Sequence, residues 1–185
     1  MTTLNTPQPL APAEPIHVGS YIIRPIQAKD NAEVHNLIIA TLTEFGAIGE
    51  GYACNDPELN DMTAYYANLW GEYFVIEDQP TGNVVGAGGY GQLKGTEVDE
   101  AICELSKVYF YPEVRGKGLA KALMPFLLDR ATAAGFTRMY LETIPPMQAA
   151  QELYRKFGFE NLDHPLGNTG HQERCKIRMV KELSE

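Results

Sequence analysis

The chain is poor in cysteine. Cys54, Cys103 and Cys175 are the only three among 185 residues, they lie far apart, and no CxxC pair occurs. An odd, scattered set argues against a disulfide framework or a zinc site and fits a reducing compartment. Positive charge is scarce as well: 15 Lys and Arg against 24 Asp and Glu leave a formal net charge of −9. General nucleic-acid binding needs a basic footprint, so no nucleic-acid partner is expected. No apolar run approaches a membrane span, and the opening MTTLNTPQPL lacks the basic start and apolar core of a signal peptide. The expectation is a cytoplasmic protein with no membrane partner and no metal. Two familiar phosphate loops are also missing. There is no GxxxxGK[ST], and no GxGxxG follows the first strand, which removes the P-loop and Rossmann sites.

What remains is an ordinary globular composition, 44% hydrophobic and 21% charged, in a length that suits one domain. Pro7, Pro9, Pro12 and Pro15 mark residues 1–15 as a flexible or extended tail outside the core. Residues 16–185 then form the single folded domain. HVGSYIIRPI (17–26) reads as a strand. Asp30 and Glu33 make a capping-box pattern before Val34, Leu37, Ile38 and Leu42 at helical spacing. After a glycine-rich loop (46–55), Asp56 at the N-cap and Pro57 at N1 start a second helix that ends at Gly71. EYFVIED and VVGAGGY pair as a hairpin across QPTGN. AICELSKVYFYP is a strand stopped by Pro112, and a helix follows to Gly135. TRMYLET is a strand, a helix runs from Pro146 to a cap at Gly158, and a last pair (159–163 and 172–181) brackets HPLGNTGH. The order predicts an α/β (α+β) fold: a mixed central sheet of about seven strands with helices on both faces.

The segment that carries chemistry is VRGKGLAKALM (114–124), a small cationic turn opening onto an apolar helix. A helix N-terminus leaves its first N–H groups unpaired and partly positive, and glycines let a ligand approach them. The natural ligand is a phosphate. Arg115-Gly116-Lys117-Gly118-Leu119-Ala120 fits R-x-x-G-x-A, after a strand of the form V-x-F-x-P (Val108, Phe110, Pro112). Downstream, Ala150, Leu153, Tyr154, Gly158 and Phe159 fit A-x-x-L-Y-x-x-x-G-F. Together these resemble the acetyl-CoA site of the GNAT N-acetyltransferases, over about residues 17–182. PLGNTGH is similar to a loop of a bacterial subgroup. Two positions depart from the pattern. Met147 stands where family members often carry a cofactor-touching Asn, and Pro125 sits inside the helix after the turn, where it should kink or widen it.

The resemblance implies acetyl transfer from acetyl-CoA to a primary amine of a small molecule or amino-acid derivative, by direct attack in a ternary complex. A non-catalytic acyl-CoA sensor and a protein or peptide N-acetyltransferase stand as alternatives, and dimers are common in the family, so a homodimer is a further partner to consider. Tyr154 matches the family's general acid toward the CoA sulfur. Glu104 is the expected base, through a water. A carboxylate inside an apolar strand is costly to bury, and burial raises its pKa toward a useful value; a purely structural carboxylate is the competing reading. Strand alternation puts Glu104, Ser106, Val108 and Phe110 on one side if no bulge intervenes. Val108, Tyr109 and Phe110 would offer backbone groups to the pantetheine arm. Arg115 and Lys117 would add charge for the phosphates, and Gly116, Gly118, Leu119 and Ala120 their N–H groups. His171 would bind an acceptor carboxylate or serve as an alternative base, with Asn168 of the same loop and Tyr52 on the acceptor side. Cys103 reads as a small buried apolar residue.

Overall fold

The computed structural model describes residues 6–183. One sheet of eight strands runs through it, in the order β1-β2-β3-β4-β5-β6-β8-β7. Its strands are β1 (Ile16–Val18), β2 (Tyr21–Pro25), β3 (Glu72–Asp78), β4 (Asn83–Gln92), β5 (Ile102–Phe110), β6 (Arg138–Thr143), β7 (Glu160–Asn161) and β8 (Ile177–Glu182). The eighth strand comes from the segment expected as one strand over 17–26. Gly19, at φ 60°, and Ser20 fold it into a tight hairpin with Val18 opposite Tyr21. All neighbours are antiparallel except β5 and β6.

Helices α1 (Asn31–Glu44) and α2 (Met62–Ala67) cover one face of the sheet, and α3 (Leu119–Ala133) and α4 (Gln148–Lys156) the other. Two expected caps have other work. The Asp30 carboxylate accepts two hydrogen bonds from Arg24, at 2.7 and 2.9 Å, and one from the Gln27 N–H at 2.8 Å, so it does not cap α1. The helix expected from Asp56 is split into a 3-10 turn (Pro57–Asn60) and the short α2, whose cap is Asp61. Asp56 is drawn away to Lys107 and His171. Pro125 lies on the exposed side of α3, and the helix runs through it unbroken, because only the outward carbonyl of Lys121 loses a partner.

The proline-rich segment departs from the expected tail. Residues 6–15 form no helix or strand, yet Ala13 is buried in the core cluster that α3 contributes to. The Gln8 N–H donates to the Ala134 carbonyl at 2.8 Å, and Arg130 Nη2 donates to the Ala11 carbonyl at 2.7 Å. Residues 1–5, the rest of the stretch expected to be flexible, lie outside the described residues.

The site is positioned by a bulge in β5. Ser106 pairs with Gly89 and Tyr109 with Ala87, so Lys107 and Val108 both stand opposite Gly88. Lys107 takes φ 54°, and the Tyr73 hydroxyl donates to its carbonyl at 2.7 Å. A Cβ at Gly88 would stand 3.0 Å from a Val108 methyl and 3.1 Å from a Leu123 methyl, so glycine lets α3 and the bulge sit this close to β4 without crowding. The bulge corrects the expected alternation. Glu104 and Ser106 face the α1 side, whereas Val108 and Phe110 face α3. It also bends β5 away from β6. The two strands pair only from Ile102–Glu104 to Arg138–Tyr140 and then part, opening a splay in the sheet.

Candidate active site

Two chambers meet in that splay. The larger, about 480 Å³, runs along the outer part of β5 and the start of α3. Gly116, at φ 78°, and Gly118, at φ 82°, wind the chain into the helix, and no atom lies within 4 Å of where a Cβ would stand at either. The N–H groups of residues 116–121 donate to no backbone carbonyl among the described residues. This ring of free donors at the positive end of a 15-residue helix is a fit for a phosphate. Val108, Tyr109, Phe110, Arg115, Gly116, Gly118, Leu119 and Ala120, all named above as cofactor candidates, line the chamber together with Pro146, Met147 and Leu153.

The two basic residues of the turn behave differently from expectation. The Arg115 guanidinium donates to both oxygens of Glu44, at 2.6 and 2.7 Å, and to the Phe110 carbonyl at 2.9 Å. Lys117 reaches the Tyr21 hydroxyl at 3.1 Å and does not line the chamber. The turn aims it outward, toward β2. Lys121, which sequence reasoning passed over, is the ammonium that borders the chamber.

The smaller chamber, about 90 Å³, lies on the α1 side of the splay. Glu104, Ser106 and Lys107 from β5 line it, with Glu142 and Thr143 from β6, Thr169 and His171 from the last loop, and Tyr52, Glu58 and Tyr65 across from them. Burial raises the Glu104 carboxyl from its ordinary 4.5 to about 7, partly offset by Lys107 and reinforced by Glu142. Lys107 is buried between two carboxylates, Asp56 at 2.7 Å and Glu58 at 3.4 Å. His171 Nε2 meets the other oxygen of Asp56 at 2.9 Å. That hydrogen bond raises the imidazole above its usual range, while burial works against it.

Asn168 does not reach this chamber. Gly167, at φ 58°, turns the chain so that the Asn168 N–H donates to the Lys94 carbonyl at 2.6 Å, and Thr169 points inward in its place. Tyr52 lines the chamber with Arg174 stacked over its ring at 5.6 Å. Sequence reasoning missed Asp56, Lys107, Glu142 and Thr169. A readable signal existed for Lys107, a charge inside the same apolar strand that drew attention to Glu104.

Tyr154 stands where the chambers meet. It lines both, together with Val108, Tyr109, Met147 and Ala150. Burial pushes its phenol above the usual range, with a smaller push from Tyr109, so it stays protonated. Met147, the departure from the expected Asn, caps α4 and forms part of this shared wall. Cys103 is fully buried with its thiol pushed far up, which removes it from nucleophilic chemistry. Among the described residues all three cysteines are free, no His/Cys/Asp/Glu group could hold a metal ion, and no helix is long and apolar enough to cross a membrane.

Known proteins share this fold. The Salmonella typhimurium acetyltransferase yncA, solved with its cofactor acetyl-CoA, superposes with a TM-score of 0.70 at 22% identity, over 90% of this chain and 96% of that one. A phosphinothricin acetyltransferase from Sinorhizobium meliloti, in complex with AcCoA, gives 0.69 at 22% identity, over 90% of both chains. These likenesses concern the fold. The sequence adds the rest: the N-acetyltransferase YjgM of Escherichia coli (strain K12) is 41% identical over 165 residues, 89% of this chain and 96% of that protein. The Acetyltransferase (GNAT) family model matches residues 18–159, a span that contains the glycine turn, the β5 bulge, Glu104 and Tyr154. The chain belongs to the GNAT acetyltransferase family.

Proposed function

We propose that this N-acetyltransferase acetylates the primary amine of a small molecule or amino-acid derivative, by direct attack within a ternary complex. Acetyl-CoA, the family's co-substrate, supplies the acetyl group as a thioester. The free N–H groups of residues 116–121 hold its phosphates, and the backbone of residues 108–110 holds its arm along β5. The amine enters from the smaller chamber. Glu104 takes a proton from it, with a water as relay. The nitrogen lone pair forms the C–N bond as the C–S bond breaks, and Tyr154 gives its phenol proton to the departing sulfur. The nitrogen sheds its second proton as the amide forms, and that proton restores the Tyr154 phenol, so the two protons lost from the ammonium end on Glu104 and, by way of Tyr154, on the thiol. The observation that carries this reading is the meeting of the two chambers at Tyr154, with Glu104 in the smaller one. The smaller chamber's volume favours a compact acceptor.

The test is thiol release from acetyl-CoA across a panel of amines, amino acids and peptides, with Tyr154→Phe in parallel. A positioned acid is worth about 10²- to 10⁴-fold, so kcat should fall at least about 100-fold while acetyl-CoA affinity holds. Undiminished turnover in the variant removes Tyr154 as the acid. Tight cofactor binding without release on any acceptor points to a sensor instead.

A further inference from the structure

The proposed reaction leaves one carboxylate of the smaller chamber unused. Glu104 pairs in register with Tyr140 on the adjacent parallel strand. Parallel partners share a face, so Glu142, two residues beyond Tyr140, joins Glu104 on the chamber side. It stands where β5 and β6 have already parted, and both glutamates line the chamber. The Tyr140 hydroxyl donates to Glu142 Oε1 at 2.7 Å, and the Thr169 hydroxyl donates to Oε2 at 2.7 Å. A hydroxyl donating to each oxygen is the bonding pattern of a carboxylate whose orientation is fixed. The Thr169 oxygen in turn accepts the His171 N–H at 3.1 Å, so the GNTGH loop is folded around this contact.

Lys107 and His171, two cations near Glu142, are committed elsewhere. Lys107 lies between Asp56 and Glu58, and His171 lies on Asp56. Arg178, the cross-strand partner of Glu142 on β8, turns its Nη2 to the Gln172 carbonyl at 3.0 Å and keeps a buried Nε without a hydrogen-bond partner, out of ion-pair reach of Glu142. Among the described residues no ion pair reaches Glu142. A fixed carboxylate therefore faces the acceptor space with no cation in ion-pair contact with it among the described residues.

We propose that Glu142 selects acceptors by charge: a cationic ammonium is held at Glu142 in the smaller chamber before Glu104 takes its proton. The inference rests on the proposed reaction and deepens it. The carboxylate acts on the encounter, concentrating the ammonium beside Glu104, so its effect falls on binding. A neutral nucleophile of the same size gains no such benefit.

Two acceptors of equal heavy-atom count separate charge from shape: ethylamine, an ammonium at neutral pH, and methoxyamine, which is neutral there. Glu142→Gln should raise KM for ethylamine about tenfold or more, the worth of one charge-assisted hydrogen bond, with kcat changed far less. KM for methoxyamine should hold. Thr169→Val should carry part of the ethylamine loss, and Thr169→Ser should recover it. Equal losses on both amines, or a loss in kcat alone, overturn the proposal. Calorimetric binding of ethylammonium to the wild type and to Glu142→Gln, each saturated with coenzyme A, decides the matter even without turnover: weaker binding in the variant supports it, and equal or absent binding overturns it. If Glu104→Gln retains full turnover, the proposed reaction fails while charge selection is still judged by that binding.

Discussion

Glu104→Gln is expected to lower kcat by about 100-fold or more and to abolish the rise of activity with pH. The carboxyl titrates near 7 because the folded chain withholds water from it and Glu142 stands nearby. A general base works only when deprotonated, so wild-type kcat/KM should climb through about pH 7 and level off above it. Measuring the profile with methoxyamine, which does not titrate across this range, assigns the limb to the protein. A limb that survives in the variant would move the base elsewhere, with His171 next in line.

The same substitution has a thermodynamic signature of opposite sign. The folded chain keeps the Glu104 proton up to about pH 7, whereas the unfolded chain releases it near 4.5. The folded state binds more protons between those values, so wild-type stability falls as pH rises through that window. Glutamine has no charge to desolvate. Melting temperatures should therefore favour the variant above pH 7 and converge with the wild type below pH 4.5. A variant that is inactive and more stable is the outcome that separates a working carboxylate from a structural one.

Lys107→Met should be the most damaging single change to stability, by about 3–5 kcal/mol, because it strands two buried carboxylates. The ammonium is 7% exposed and sits between Asp56 and Glu58. Asp56 is also buried, and its pKa is held below the ordinary carboxylate value by His171 and Lys107 against that burial. A depressed carboxylate lends stability above its unfolded value and loses it as pH falls through the folded one. The deficit of the variant should therefore be largest at neutral pH and shrink below about pH 4. Urea unfolding at pH 7 and pH 4 checks both statements, and a deficit that is small or constant with pH would mean that the pair does not hold the bulge. Lys107→Gly should suffer somewhat less, since glycine takes φ 54° without strain.

Local signals read well here. The turn at Gly116 and Gly118 and the helix after it depend on neighbours in sequence, and so do the hairpin of β3 and β4 and the cap at Gly158. What resisted reading depends on distant partners. Asp56 before Pro57 has every mark of a cap, but a lysine 51 residues away takes its carboxylate. The β5 bulge packs on a glycine of β4 and accepts from the Tyr73 hydroxyl, neither visible from ELSKVYF. Glu142 and Thr169 look like solvated polar residues until the splay turns them toward a common space. Ala13 looked like part of a loose tail because the surface that receives it belongs to α3.

The wall between the chambers belongs to neither. Tyr154, Val108, Tyr109, Met147 and Ala150 each present a surface to both sides. Whatever fills the larger side presses on the boundary of the smaller one. The acceptor's compartment is thus finished by the acyl carrier, and recognition of the amine becomes a property of the loaded protein. In kinetic language, the proposed reaction carries an expectation of an ordered sequence, with the carrier bound first and the amine read against it.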